Sequence, residues 1–241
     1  AYGADMSKYL DSGNEARIKK AYESRDPRLQ MAVITPYAQY NGASSGIAHT
    51  YTLRWPYRGS DSAEPFDIRT DTNDKFYYLW RKFVPEGLEQ TERDTYGLDI
   101  PLIRYAEVLL LKAEALNEWG STHESEAIRC VNEVRRRAGH VELNNATYPA
   151  TKVNGQSDLR ERIRNEYYWE IGGEDSMYFH ELRWGTWKDK KFDNNRSGLM
   201  QMWGETTYTW YWLGDQCWSW PIPAKEMEMN SNLEQNEGWI N

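Results

Sequence analysis

Apolar residues recur at helical spacing most clearly in the middle of the chain. Ile103, Ala106, Leu110, Ala113 and Leu116 fall three or four positions apart, which puts them on one stripe of an α-helix. Pro101 suits the start of that helix and Gly120 its end. Ser121 is placed to cap a second helix, whose stripe is Ala127, Ile128, Val131 and Val134 and which Gly139 ends. The two helices make a hairpin of about the length of one tetratricopeptide unit, a helix pair of about 34 residues. No second copy follows at that period. A lone pair leaves an outer face bare, so these helices pack either on the rest of the chain or on neighbouring repeats outside it. A third helix is expected over 157–171, with Ser157 and Asp158 as caps and Leu159, Ile163 and Tyr167 inside. Gly172-Gly173 breaks it, and a fourth helical piece runs to Gly185.

Before and after these helices the pattern changes. Residues 5–24 read as a polar helix that Arg25-Asp26-Pro27 ends. From 31 to 70, β-branched and aromatic residues mix with turn formers such as Asn41-Gly42, Ser44-Ser45-Gly46 and Trp55-Pro56. That mixture predicts a long loop region with at most short strands, such as 31–35 and 77–83. Residues 186–220 read as Trp-rich loop or short strand, and Pro221 and Pro223 hold an extended tail. The expected organisation is therefore a loop-rich segment at 1–100 (the ligand face, on the family resemblance given below), a helical core at 101–185, and a Trp-rich loop with C-terminal tail at 186–241. The fold class is mainly α, a tetratricopeptide-type helix pair packed on a loop-rich region with a few short strands.

Charge and composition narrow the function. Against 29 Lys and Arg stand 37 Asp and Glu, a net of −8, whereas a nucleic-acid partner calls for a basic excess. No stretch approaches the roughly 18 apolar residues of a membrane-spanning helix. Twelve Trp and 17 Tyr stand against 5 Phe. Rings with a polar handle suit wet binding surfaces, although a core can also use them. Two cysteines do not make a disulfide framework, and Cys130 reads as a small buried apolar residue.

Most chemistry motifs fail on inspection. His180-Glu181 opens like a zinc-protease helix, but Trp184 occupies the place of the second His. Asp71 to Lys75 resembles a calcium loop, but Lys75 stands at a ligand position. No metal or cofactor is expected. Glu166 and Glu170 share a helix face and read as solvated or as partners of Arg162, not as an acid pair across a cleft. No catalytic constellation is present, so the chain reads as a binding protein and not an enzyme. What remains is aromatic density. Tyr51, Arg54, Trp55 and Tyr57 lie within eight positions. Flat rings stack on the C–H faces of sugars while Arg bonds hydroxyls. The same set suits a peptide through cation–π contacts, and Trp55 and Tyr57 equally suit rings that pin the loop to the core. Trp187, Trp203, Trp210 and Tyr211 form a second tier.

Several segments resemble one family. Ile103 to Leu110, Ala113 to Glu118 and Asn132 to Gly139 closely resemble the RagB/SusD family, as do Arg25 to Leu29 and Ile163 to Glu174. Leu182 to Gly185, Pro221 to Glu226 and Asn232 to Asn236 follow in the right order. Tyr167, Met177, His180 and Glu237 depart from the family's usual Arg, Arg, Asp and Pro, which bears on the internal ion pairing. The resemblance implies a SusD-like fold and a non-catalytic lipoprotein at the surface of Bacteroidetes-type bacteria. Such proteins capture an oligosaccharide, or in some members a peptide, on a SusC-type TonB-dependent transporter of the outer membrane. It also implies that this chain is the C-terminal half. The missing N-terminal half is then a partner, and it carries the lipid-anchored Cys. The resemblance assigns no ligand contact. A peptide-capturing member, or a transporter-docking module whose aromatics are core, remain alternatives.

Overall fold

The structure, a computed structural model, describes residues 20, 22–23, 25–35, 38–44, 46–54, 68–69, 79–87, 97, 99–174, 176–192 and 211–239. The chain divides into two compact units, Ala1–Met177 and Tyr178–Asn241. The expected helix at 5–24 lies almost wholly outside the described residues, as does the 71–75 segment.

The first unit opens with α1 (Pro27–Ala32), whose start is fixed by Pro27 and by Asp26, which accepts a hydrogen bond from the Arg28 N–H. The chain then runs through β1 (Val33–Ile34), β2 (Gln39–Ser44), β3 (Ile47–Arg54), β4 (Ile68–Arg69) and β5 (Leu79–Trp80). β1 pairs antiparallel with β5, inside the short strands expected at 31–35 and 77–83. The rest corrects the loop reading. β2 and β3 form a regular antiparallel hairpin and β4 joins β3 in parallel. Asn41-Gly42 is not a turn but sits inside β2, opposite Thr50 and His49. The chain reverses between Ser44 and Ile47, where Gly46 takes φ 76. Tyr40 decides the outcome. It is buried with Ile34, packs against Ala38 and Tyr51, and donates its hydroxyl to the Pro85 carbonyl at 2.9 Å. That anchor overrides the local turn preference of Asn-Gly, since strand propensity follows packing.

Three helices form the core of this unit. α2 (Tyr105–Trp119) and α3 (Glu124–Arg137) pack as a hairpin, and α4 (Gln156–Ile171) lies against both. Leu109, Leu110, Ala113 and Leu116 of α2 are buried with Ala127, Ile128, Val131 and Val134 of α3 and with Leu159, Ile163 and Tyr167 of α4. α2 begins at Tyr105, not at Pro101, and Ile103 is exposed ahead of it. Its N-cap, Arg104, makes no capping bond, since a guanidinium has no acceptor to offer the helix N–H groups; its side chain donates instead to Glu170 and Glu174. Gly120 closes the helix. A 3₁₀ turn over Ser121–His123 follows, so His123 and not Ser121 precedes α3. After Gly172-Gly173, α5 (Ser176–Arg183) begins.

Charge locks these elements together. Arg28 lies 2.6 Å from Asp26, 2.8 Å from Glu166 and 3.0 Å from Glu170. Arg135 of α3 donates to Glu166 at 2.7 Å and to the Val141 carbonyl at 2.9 Å. Arg104 reaches Glu170 at 3.0 Å and Glu174 at 2.7 Å, Arg137 reaches Glu170, and Lys82 reaches Glu174. Glu166 and Glu170 are thus buried anchors and not a solvated face, and Arg162 pairs with Asp158 instead. The reason is geometric: their face of α4 meets α1, α3 and the lead into α2, and buried carboxylates require cations. Burial pushes the Asp26 carboxyl up, but the hydrogen bonds and charge of Arg28 outweigh it and hold it below its ordinary value. Glu174 is likewise lowered, because bonds from Arg104 and Lys82 overcome its burial. His140, 3.5 Å from Asp26, is lowered by burial and by the nearby Arg135 charge.

The second unit contains α6 (Trp187–Lys191), where loop or strand was expected, a 3₁₀ turn at Asp215–Trp218, and α7 (Ala224–Met229). Trp187 starts α6 because its ring is clasped between Tyr178 and Phe192. Pro221 to Pro223 is extended as expected; Pro223 then caps α7, a helix the sequence pattern did not announce. The tail is tied back by side chains. Gln235 bonds both the N–H and the carbonyl of Ile222, at 2.7 and 3.0 Å. Asn236 donates to the Trp220 carbonyl at 2.6 Å, and Trp239 to the Ser219 carbonyl at 2.8 Å.

Candidate functional site

Of the first-tier residues, Tyr51 and Arg54 stand on β3 and not in a loop. Tyr51 faces Tyr40 across the hairpin and is half-buried against the Ile34–Tyr40 cluster, with His49 edge-on at 6.2 Å. Its ring pins the hairpin. Arg54 is the last residue of β3 and hands the chain to 55–67. Trp55 and Tyr57 lie outside the described residues, as do Trp203 and Trp210. On the opposite face of the hairpin, Thr50 donates to Asn41 Oδ1 at 3.1 Å. Glu86 accepts from the Asn41 N–H at 3.1 Å and pairs with Arg81 at 2.8 Å, which closes part of the free edge of β2.

The second-tier residue Trp187 belongs to a relay of rings. Phe179 meets Tyr178 edge-on at 5.3 Å, and Tyr178 meets Trp187 at 4.9 Å. Trp187 meets Phe192 at 5.9 Å, Phe192 meets Trp212 at 5.1 Å, and Trp212 tilts against Trp218 at 5.0 Å. Edge-on pairs in this range contribute about 0.5–1.5 kcal/mol each beyond burial. Lys188 places its ammonium 5.3 Å over Trp212 and 3.5 Å from Asp215. The Trp220 indole donates to the Tyr178 hydroxyl at 3.0 Å. Most of the relay is half-buried, but its neighbours are open: Trp220 is 73% and Tyr211 70% exposed. The arrangement offers exposed rings, of which Trp220 is held by its bond to Tyr178 and Tyr211 adjoins Trp212 in sequence. Sequence reasoning pointed to Trp187 and Tyr211 and missed Tyr178, Phe192, Trp212, Trp218 and Trp220. The Trp density after residue 184 was the signal; which rings meet depends on contacts between 178–192 and 212–220, which no local pattern sets. His180, the start of the rejected zinc motif, accepts from Arg183 at 3.0 Å and stacks on Trp184, so it serves packing.

A family model described as the SusD family matches residues 5–239. The chain belongs to the SusD family. Its signature segments, Arg25 to Leu29, Ile103 to Leu110, Asn132 to Gly139 and Ile163 to Glu174, all supply members of the charge lock. The SusD-like protein P38 of Formosa agariphila is 32% identical over 139 residues, which cover 57% of this chain and 24% of that protein. The starch-binding protein SusD of Bacteroides thetaiotaomicron is 28% identical over 161 residues, 66% of this chain and 25% of that protein. A crystal structure of a SusD-like protein from Bacteroides fragilis superposes with a TM-score of 0.59 at 23% identity, over 95% of this chain and 42% of that one. The SusD-family chain thus spans about a quarter of the length of the curated relatives it matches. The mainly helical fold with short strands is a SusD-like fold.

Proposed function

We propose that this SusD-family protein captures an oligosaccharide or polysaccharide at the cell surface without catalysing its conversion. It delivers the glycan to a SusC-type TonB-dependent transporter in the outer membrane, to which it is held as a lipoprotein. The observation that carries this reading is family membership combined with open aromatic faces on fixed supports. One curated relative is by name a starch-binding protein. Tyr211 and Trp220 stack on sugar rings in the second unit, Trp187 acts from behind them, and Trp203 and Trp210 extend the same tier. Tyr51, Arg54, Trp55 and Tyr57 supply the first-unit contacts, with Tyr51 orienting the strand that leads to Trp55. Stacked rings contribute about 1 kcal/mol each beyond burial, so a few sugars give a weak, releasable site.

Native affinity electrophoresis tests the reading. The protein is run through gels that hold plant, host and microbial polysaccharides, beside Trp55→Ala and Tyr211→Ala. Retardation by one glycan, reduced in either variant, supports capture and assigns the tier responsible. Retardation by no glycan, with peptides bound instead, replaces it with peptide capture by the same family fold.

A further inference from the structure

Two opposite charges of the second unit stand among its rings. The Lys188 ammonium sits 5.3 Å over the Trp212 indole, the Trp212 indole N–H donates to Asp215 Oδ1 at 3.4 Å, and ammonium and carboxylate are 3.5 Å apart. Both charges are thus set against one ring, which Phe192 and Trp218 hold. The pair is loose. Charge-assisted bonds close at about 2.7–2.9 Å, and those of Arg28 lie at 2.6, 2.8 and 3.0 Å. It is also open to water: the Lys188 and Asp215 side chains are 40% and 84% exposed, and Asp215 Oδ2 accepts no bond from a described residue. Tyr211 and Leu213, on either side of Trp212 in sequence, are exposed as well. Such a pair contributes little to stability. What it offers is a cationic donor and an anionic acceptor side by side at a ring cluster.

A sugar hydroxyl both donates and accepts. A separation of 3.5 Å lets one hydroxyl oxygen accept from Lys188 Nζ and donate to Asp215 Oδ1, while the hydroxyl of the next carbon donates to Oδ2. Neither charge then loses its partner. A carboxylated or sulfated sugar would instead meet the Asp215 carboxylate. No local cationic excess offsets that repulsion, since Lys188, Lys190 and Lys191 stand against Asp189, Asp193 and Asp215, and the whole chain carries a net of −8. We propose that Lys188 and Asp215 are the polar subsite beside Tyr211 and Trp220, and that they select neutral glycans with free vicinal hydroxyls against uronic-acid and sulfated glycans. The proposal rests on the capture reading above and adds the class of sugar. Lys188 supplies attraction and Asp215 supplies both attraction and rejection.

Affinity gels of the 241-residue chain test it with amylopectin, galactomannan and a mixed-linkage β-glucan, each beside the same polymer oxidised at C6 to the uronate. At least one neutral polymer is expected to retard the protein, and its oxidised form several-fold less. Lys188→Met, which keeps the apolar stem, is expected to weaken retardation by the neutral polymer several-fold. Asp215→Asn is expected to shrink the difference between the two forms several-fold. Both variants should keep the thermal midpoint of the parent. Stronger retardation by an oxidised form overturns the proposal. So do variants that behave like the parent while Tyr211→Ala loses retardation, an outcome that leaves glycan capture standing. Retardation by none of the six polymers overturns it too, and capture is then decided separately by the wider glycan and peptide panel.

Discussion

Arg28 and Trp212 are each held by several neighbours, but the two surroundings behave differently. Around Arg28 the contacts are ion pairs between elements far apart in sequence, and the carboxylates of Glu166 and Glu170 are shut away from water. Removing one partner strands a charge, so the network stands or falls as a set. Around Trp212 the contacts include ring edges, one cation and an indole N–H donated to Asp215, half open to solvent. Each is modest and separable. The first arrangement fixes helices around buried carboxylates; the second leaves its rings half open to water. Arg25 to Leu29, Ile103 to Leu110, Asn132 to Gly139 and Ile163 to Glu174 carry the family resemblance and sit in the first, which explains why those segments say so little about a ligand.

The contrast is sharpest in stability. Glu170→Ala leaves Arg28 without one of its buried carboxylates, takes Arg137's ion pair and leaves Arg104 with Glu174 alone, and is expected to cost about 3–5 kcal/mol. Trp212→Ala is expected to cost about 2 kcal/mol, because the ring is only half-buried, and to remove part of the near-ultraviolet dichroism. Urea titration of both variants checks the order; a Glu170→Ala loss smaller than that of Trp212→Ala would mean that the ion pairs hold the fold less than the rings do. Acid should act on the lock next. Asp26, Glu174 and His140 all have folded values lowered from the ordinary 3.8, 4.5 and 6.5. The unfolded chain therefore binds more protons as pH falls, and stability must drop. The thermal midpoint is expected to decline first below pH 6.5 through His140, then more steeply below 4.5 through Glu174 and Asp26. A midpoint that rises between pH 7 and 5 contradicts that sign. Least affected is Lys188→Ala, which removes an exposed ion pair and a cation–π contact and should shift stability by about 0.5 kcal/mol or less in the same titration.

How far the sequence carries depends on range. The α3 and α4 helices were legible because one stripe of apolar residues sets their faces, and Gly120, Gly139 and Gly172-Gly173 mark real ends. The hairpin of β2 and β3 was not, because Asn41-Gly42 has strong local turn chemistry and the anchor that overrules it, Tyr40 on Pro85, lies 45 residues apart in sequence. Glu166 and Glu170 looked solvated for the same reason: Arg28 is 142 positions from Glu170. Of the candidate site, Tyr51 could be named but not its role as a pin. Trp187 could be named but not the rings on either side of it.

Binding by aromatic faces and support by the charge lock separate in one affinity-gel series on the best-retarding glycan, with Tyr211→Ala and Trp220→Ala beside Glu170→Gln, each with its thermal midpoint. The ring variants are predicted to lose retardation and keep most of their stability. Glu170→Gln is predicted to lose stability and, below its midpoint, to be retarded like the parent. A folded Glu170→Gln protein that no longer binds, beside ring variants that bind unchanged, would contradict the account.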